Sequence, residues 1–172
     1  EVPPTLPISG NFTYTPLYAT RPSDSLGNLG MLNYASLTAH FSTMTVDPAV
    51  SVTVNNQTLT ATGSNIALSP EFGFSQSSGQ PNQLNNVLRV SCFGSNCATA
   101  APTSPNLGFG CTSAGTCGPP YSAQIGGGFG GANGQAGGAF FSYAFNTNYN
   151  SGDTQAGSRP TNDYITGNVA FT

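Results

Sequence analysis

The residues best suited to covalent chemistry are four cysteines that lie close together in sequence: Cys92, Cys97, Cys111 and Cys117. Four residues separate the first two and five separate the last two, whereas zinc-binding pairs are usually separated by about two to four residues. The surrounding segments are rich in Gly, Ser, Thr and Pro. We therefore predict two disulfides rather than a zinc site or free thiols, and no bound metal.

Disulfides persist in oxidising compartments, so this prediction places the chain at a cell surface, in a periplasm or in the medium. Four cysteines allow three pairings. Cys92 with Cys97 and Cys111 with Cys117 is slightly favoured over a nested arrangement, because residues close in sequence meet at a lower entropic cost.

The chain offers few groups for catalysis. His40 is its only histidine, and strand alternation puts it on a polar face beside Thr38 and Ser42, where we expect it to be exposed. A catalytic triad needs a base that a third group orients, and a metal needs several ligands. Asp47-Pro48 is interpreted as a turn signal. The six acidic residues are scattered, at Glu1, Asp24, Asp47, Glu71, Asp153 and Asp163. We predict a protein that is not an enzyme and has no cofactor.

Charge is scarce along the whole chain. Charged residues make up 5% of the sequence and the net charge is -3, whereas about 25% is usual for soluble domains. All three basic residues are arginines, which is too few to neutralise nucleic acid or an anionic membrane. No apolar run approaches the roughly 20 residues of a membrane span. Weak repulsion between copies favours association.

Alternating apolar and polar residues predict an all-β chain. The clearest element is a hairpin over residues 49–62, in which Asn55-Asn56 forms a two-residue turn because asparagine tolerates positive φ. The other predicted strands are 11–19, 37–42, 87–92, 125–129, 139–145 and 164–171, and residues 65–68 either extend the hairpin or follow it. About eight strands at this spacing favour an antiparallel barrel, a closure that also removes exposed edges. A sandwich is the alternative.

The domain organisation follows from these strands. Residues 11–172 form one domain, in which 93–120 is a long loop stapled by the disulfides. Residues 1–10 form a proline-rich arm or linker, which starts like a processed chain and cannot pair fully in the centre of a sheet. Its apolar residues Val2, Leu6 and Ile8 are candidates for contact with a neighbouring subunit.

A glycine-rich motif occupies residues 126–141 and reads GGGFGGANGQAGGAFF. It resembles the strand–turn–strand signature of the β-barrel domain of transferrin-binding protein B, which is related to signatures in factor H binding protein and in secreted haem-binding barrels. The final strand, residues 165–171, also resembles the closing strand of such barrels. Matching positions are Phe129, Gly131, Asn133, Gly137, Gly138 and Phe140. The resemblance implies that these glycines turn the chain and that the phenylalanines fill a barrel.

Neighbouring residues of a strand face opposite sides, so one of Phe140 and Phe141 must lie outside the core. The signature assigns Phe140 to the interior, which leaves Phe141 as a candidate for contact between subunits. We predict a non-catalytic extracellular structural or adhesive protein, a self-assembling subunit of a surface fibre or layer whose partners are copies of itself. The alternative, implied by the resemblance, is a cell-surface module that binds a host protein or haem.

Overall fold

A computed structural model describes residues 9–78, 87–94, 122–130, 137–146 and 164–172. These residues form twelve strands and no helix, so the described part of the chain holds no long apolar helix that could cross a membrane. The strands are β1 (Asn11–Tyr14), β2 (Pro16–Ala19), β3 (Ser23–Asp24), β4 (Met31–His40), β5 (Thr45–Val54), β6 (Gln57–Gly63), β7 (Ile66–Ala67), β8 (Gly73–Ser77), β9 (Leu88–Gly94), β10 (Ser122–Gly130), β11 (Gly138–Asn146) and β12 (Tyr164–Phe171).

The strands pair antiparallel in two six-stranded sheets. Sheet 1 has the order β1-β4-β5-β6-β9, with β7 also beside β5; sheet 2 has the order β2-β12-β11-β10-β8, with β3 also beside β12. The predicted all-β, antiparallel class is confirmed. A closed barrel is not found among the described strands, because the ladder ends at β9 in one sheet and at β8 in the other. Residues 1–8 of the predicted arm, residues 95–120 of the disulfide-stapled loop, Gly131 and Asn133 lie outside the described residues.

The core lies between the inner faces of the two sheets. Alternate residues of β5 and β6, among them Val50, Val52 and Leu59, are fully buried. Aromatic rings connect the sheets, since the ring centroids of Phe41 and Phe129 are 5.5 Å apart. The interior position predicted for Phe129 is therefore the one observed.

The β5–β6 hairpin is confirmed, with its turn at Asn55-Asn56. Both residues have positive φ, 49° and 59°, and the ladder continues directly from Val54 opposite Gln57. This is the left-handed geometry of a two-residue hairpin turn, and it explains why two asparagines occupy it.

Asp47-Pro48 does not form a turn, so that interpretation was wrong. Both residues lie inside β5, opposite the gap between the end of β6 and the start of β7. On the β4 side Pro48 lies opposite Leu37, but on the β6 side the ladder stops at Ala49. A residue without an N–H is tolerated where one side of the strand is unpaired. The Asp47 carboxylate instead accepts a hydrogen bond from the Asn65 amide at 2.6 Å.

Asp24 of sheet 2 connects the two sheets where the β5–β6 turn of sheet 1 lies. One carboxylate oxygen accepts hydrogen bonds from the amides of Leu26 and Asn28, at 3.0 and 2.8 Å. The other accepts from the side chains of Asn28 and Asn55, both at 2.8 Å. Partial desolvation raises the pKa of Asp24, but the hydrogen bonds from Asn28, Leu26 and Asn55 outweigh it, so this pKa is lower than usual.

We expect Asn56→Ala to lower the free energy of unfolding by about 1 kcal/mol, because both residues have a Cβ that is disfavoured at positive φ, but only asparagine offsets this penalty by local hydrogen bonding of its side chain. Asn56→Gly, which has no such penalty, is the control and should be at least as stable as the native chain. Urea unfolding followed by circular dichroism measures both. Equal stability of the alanine and glycine variants would contradict the left-handed turn.

We expect Asp24→Asn to destabilise the fold at neutral pH and to have much less effect in acid. A lowered folded pKa means that the stabilisation is present above the unfolded pKa of about 3.9 and is lost as the pH falls through the folded value. Urea unfolding at pH 7 and at pH 2.5 compares the two proteins. A stability difference that does not shrink in acid would show that the charge of Asp24 is not what matters.

Candidate functional site

The structure separates the predicted motif residues between the core and the surface. Phe141 is fully buried beside Phe171, with ring centroids 5.1 Å apart, so its predicted contact with another subunit is wrong. Phe140 is 56% exposed, so its predicted interior position is also wrong. The inner face of β11 is formed by Ala139, Phe141, Tyr143 and Phe145, and strand alternation turns Phe140 outward.

Of the predicted motif glycines and the four cysteines, only Gly137, Gly138 and Cys92 lie among the described residues. Gly138 begins β11 opposite Gly130, and Gly137 is the exposed residue before it. Cys92, the one cysteine among the described residues, lies in β9 and is not a free thiol. Cys97, Cys111 and Cys117 lie outside the described residues, so the two disulfides and their pairing stay a prediction.

Among the described residues, a groove that crosses the outer face of sheet 2 is a candidate site. Its volume is about 450 Å³. Two cross-strand rows form it, Gln124–Ala144–Thr166 and Gly126–Ser142–Asn168, and Ser75 of β8 extends the second row. The backbone at Tyr143 and Gly167 separates these rows, and both residues also line the groove. We call this site the sheet 2 groove.

The lining of the sheet 2 groove combines polar and apolar groups and contains no charged side chain. Gly126 and Ala144 are small and keep the floor low between longer side chains. Ser142 Oγ donates to the Gly126 carbonyl at 3.2 Å. Within the described part of the chain, the side chains of Gln124, Thr166 and Asn168 form no hydrogen bond. The groove therefore presents neutral donors and acceptors that are available to a ligand.

An aromatic side chain flanks the groove at each end along the strands. Phe140 lies two residues from Ser142 on the same outward face, and Tyr164, 42% exposed, lies two residues from Thr166. The Phe140 ring covers Gly128, since a Cβ on that glycine would lie 3.7 Å from Phe140 Cε1. Next to Phe140 the row continues through Ala170 to Tyr18, which is 70% exposed.

Beneath the groove, the Tyr143 hydroxyl is buried against Gly167. The two residues are directly opposite on β11 and β12, and a Cβ on Gly167 would collide with the hydroxyl. This hydroxyl has no hydrogen-bond partner among the described residues, and burial raises its pKa to about 12. Because Gly167 has no side chain, the Tyr143 ring fits beside it in the core.

The outer face of sheet 1 carries hydroxyl groups from five strands. We call it the hydroxyl face; its members are Thr13, Ser36, Thr38, Thr45, Ser51, Thr53, Thr58, Thr60, Thr62 and Ser91. Cross-strand pairs bond to each other, as Thr53 does with Thr58 at 2.8 Å. Thr60 donates to Ser51 at 3.0 Å. Much of the hydrogen-bonding capacity of this face is therefore used internally.

His40 lies at one end of the hydroxyl face and is half-buried rather than simply exposed. Its Nδ1 is 3.0 Å from Asn11 Oδ1 and its Nε2 is 3.1 Å from Asp47 Oδ2. Both ring nitrogens thus have oxygen partners within the fold. No cluster of His, Cys, Asp or Glu suited to a metal occurs among the described residues.

No protein-family model, curated protein or solved structure matches this chain. The resemblance to the barrel of transferrin-binding protein B therefore stays a prediction. Sequence reasoning did not find the sheet 2 groove. The outward positions of β11 and β12 are visible as an alternation, but the register that aligns Ser142 with Asn168 and Gly126 is not.

We expect Tyr143→Phe to be as stable as the native chain at neutral pH or more stable by about 1 kcal/mol, because it removes a buried hydroxyl without a partner. The native protein should also lose stability between about pH 10 and pH 12. Tyrosine in the unfolded chain ionises near pH 10, whereas the folded pKa is about 12, so rising pH favours unfolding. Urea unfolding across pH 8 to 12 should be flatter for Tyr143→Phe than for the native protein. A variant much less stable at pH 7 would mean that the hydroxyl has a partner.

Proposed function

We propose that this chain is a non-catalytic structural or adhesive domain that works outside the cytoplasm and associates with copies of itself. The observation that carries the proposal is an uncharged edge, residues 11–19, which borders both sheets and exposes apolar side chains. We call these residues the outer margin. Copies associate when their outer margins meet and extend a sheet from one molecule to the next.

The outer margin is one continuous segment. β1 is the last strand of sheet 1 on this side, and β2 lies outermost beside β12 in sheet 2. Thr15 joins them and exchanges two backbone hydrogen bonds with Thr172, both at 3.1 Å. Within the described residues, the other side of β1 pairs with no strand, and such an edge is a template for strand addition.

Apolar side chains project from the β2 half of the margin. Tyr18 pairs with Ala170, and Pro16 with Phe171, so the intervening Leu17 has no cross-strand partner. Leu17 is 69% exposed and Tyr18 is 70% exposed. The proline and the irregular register disfavour regular strand addition at β2. We therefore assign the backbone pairing to β1 and the apolar contact to Leu17 and Tyr18.

Little charge opposes the contact. Edge strands of monomeric proteins commonly carry charged residues, lysine above all, that discourage pairing. The charged side chains of the described residues are Arg21, Asp24, Asp47, Glu71 and Arg89, and none of them belongs to β1 or β2. Because neither attraction nor repulsion between charges dominates, association should depend weakly on ionic strength.

A surface ligand-binding module is the second candidate, and the sheet 2 groove favours it. Haem carries two carboxylates and needs an axial iron ligand. The groove lining has no cationic side chain and no His, Cys or Met, and the hydroxyl of its one tyrosine, Tyr143, is buried in the core. Its chemistry is better suited to an uncharged ligand than to haem.

We expect Leu17→Lys to weaken self-association at least about tenfold, because it replaces an apolar contact with a charge at the proposed interface. Leu26→Lys is the matched control, since Leu26 is 64% exposed in the loop between β3 and β4. Sedimentation equilibrium at low and high salt, with electron microscopy of concentrated protein, measures both. A native protein that stays monomeric at every concentration and salt would overturn the proposal, as would equal effects of the two substitutions.

A further inference from the structure

We propose that the sheet 2 groove binds an uncharged glycan, a short stretch of a neutral polysaccharide that lies across strands β12, β11, β10 and β8. The proposal is independent of self-association, because the groove residues and the outer margin are separate sets. It names the chemical class of ligand for the adhesive function proposed above.

The polar groups of the groove match sugar hydroxyls. The amides of Gln124 and Asn168 each supply both donors and acceptors, and the hydroxyls of Ser75 and Thr166 can act as either. A sugar hydroxyl also donates and accepts, so neutral side chains of this kind satisfy it without a charge. Phosphate, sulfate or carboxylate groups would instead call for arginine or lysine.

The site has no charged side chain, and the Asp24 carboxylate at the edge of sheet 2 already has hydrogen-bond partners within the fold. No residue that lines the groove is charged. Asp24 follows Ser23, which pairs with Thr166 at the sheet edge. Its carboxylate oxygens accept hydrogen bonds from Leu26, Asn28 and Asn55, so they are already engaged within the fold.

The exposed ring of Phe140 supplies the apolar part of the site. The C–H face of a pyranose ring is apolar and packs against an aromatic ring, which contributes a large contact area. Phe140 is 56% exposed although three other aromatic residues of β11 are buried. A phenylalanine that borders a polar groove can therefore cover one face of a sugar ring while Ser142 and Asn168 contact its hydroxyls.

The dimensions fit an extended chain. Neighbouring strands are about 4.8 Å apart, close to the length of one pyranose unit in an extended glycan. Four strands span about 14 Å, which gives room for about three sugar units along a cross-strand row. The volume of about 450 Å³ is in the range of known ligand sites, about 300–1,000 Å³.

Gly126 offers a substitution that fills the groove with little backbone strain. Its φ is not in the left-handed region, and a Cβ there would meet the Phe74 carbonyl oxygen at 3.4 Å and Ser75 Oγ at 3.5 Å, ordinary contacts. Gly130, on the same outward face of β10, has nothing within 4 Å of such a Cβ and does not line the groove. Gly126→Val and Gly130→Val are therefore a matched pair.

The test is a titration of the full chain with cellohexaose, xylohexaose, mannohexaose and chitohexaose, with hexagalacturonate as the charged comparison. Isothermal calorimetry measures affinity, and amide chemical shifts locate the contact. We expect at least one neutral hexasaccharide to bind and to shift Gly126, Ser142, Thr166 and Asn168. Gly126→Val and Phe140→Ala should each weaken binding at least about tenfold. Gly130→Val should leave it unchanged, as should Tyr34→Ala, which removes a ring 54% exposed on sheet 1.

Three outcomes would overturn the proposal: no neutral hexasaccharide binds, only the charged one binds, or binding persists unchanged in Gly126→Val. Circular dichroism and the unfolding midpoint of each variant separate loss of the site from loss of the fold. Repeating the titration with Leu17→Lys separates this proposal from self-association. A Leu17→Lys variant that no longer associates but still binds the glycan would support both proposals and show that they are independent. A native protein that binds the glycan but stays monomeric would retain only the glycan proposal, and a native protein that associates but binds no glycan would retain only self-association.

Discussion

Burial of one face of each sheet against the other is the constraint on which the rest of the structure depends. Each fully buried valine, leucine or phenylalanine contributes about 1.5–3 kcal/mol, and the inner faces of both sheets are composed largely of such residues. Strand alternation then sends every second residue outward. Because the sequence has few charged residues, these outward positions hold hydroxyls, amides, glycines and a few aromatic rings. The hydroxyl face, the sheet 2 groove and the outer margin are three results of this one constraint.

Features that depend on neighbouring residues could be predicted from the sequence, whereas features that depend on long-range pairing could not. The turn at Asn55-Asn56 and the alternation of residues 164–171 are local, and both are observed. Closure of the sheets depends on which strands meet β8 and β9, and no local pattern carries that information. The faces of Phe140 and Phe141 were reversed because alternation shows that two neighbours differ but not which one is inside. The short strands β3 and β8 have too few residues for a periodic signal.

The candidate site was harder to foresee than the fold. Ser75, Gly126, Ser142 and Asn168 lie far apart in sequence, and only the register of four strands aligns them. Gly126 and Gly167 also have different roles that the sequence does not distinguish. Gly126 leaves a depression on the outer face of sheet 2, whereas Gly167 leaves space for the buried ring of Tyr143 on the inner face. Only the inward or outward direction of each strand position separates these two roles.

The bonded hydroxyl pairs of sheet 1 have a consequence for how that face meets another surface. In the pairs Thr53–Thr58 and Thr13–Thr38, either oxygen can be the donor. A single rotation about each C–O bond reverses the direction of the hydrogen bond without moving a heavy atom. The same rigid lattice of oxygens can therefore offer a proton at one position or a lone pair at the next, according to what approaches. A surface of this kind adapts its pattern of polarity while its shape stays fixed.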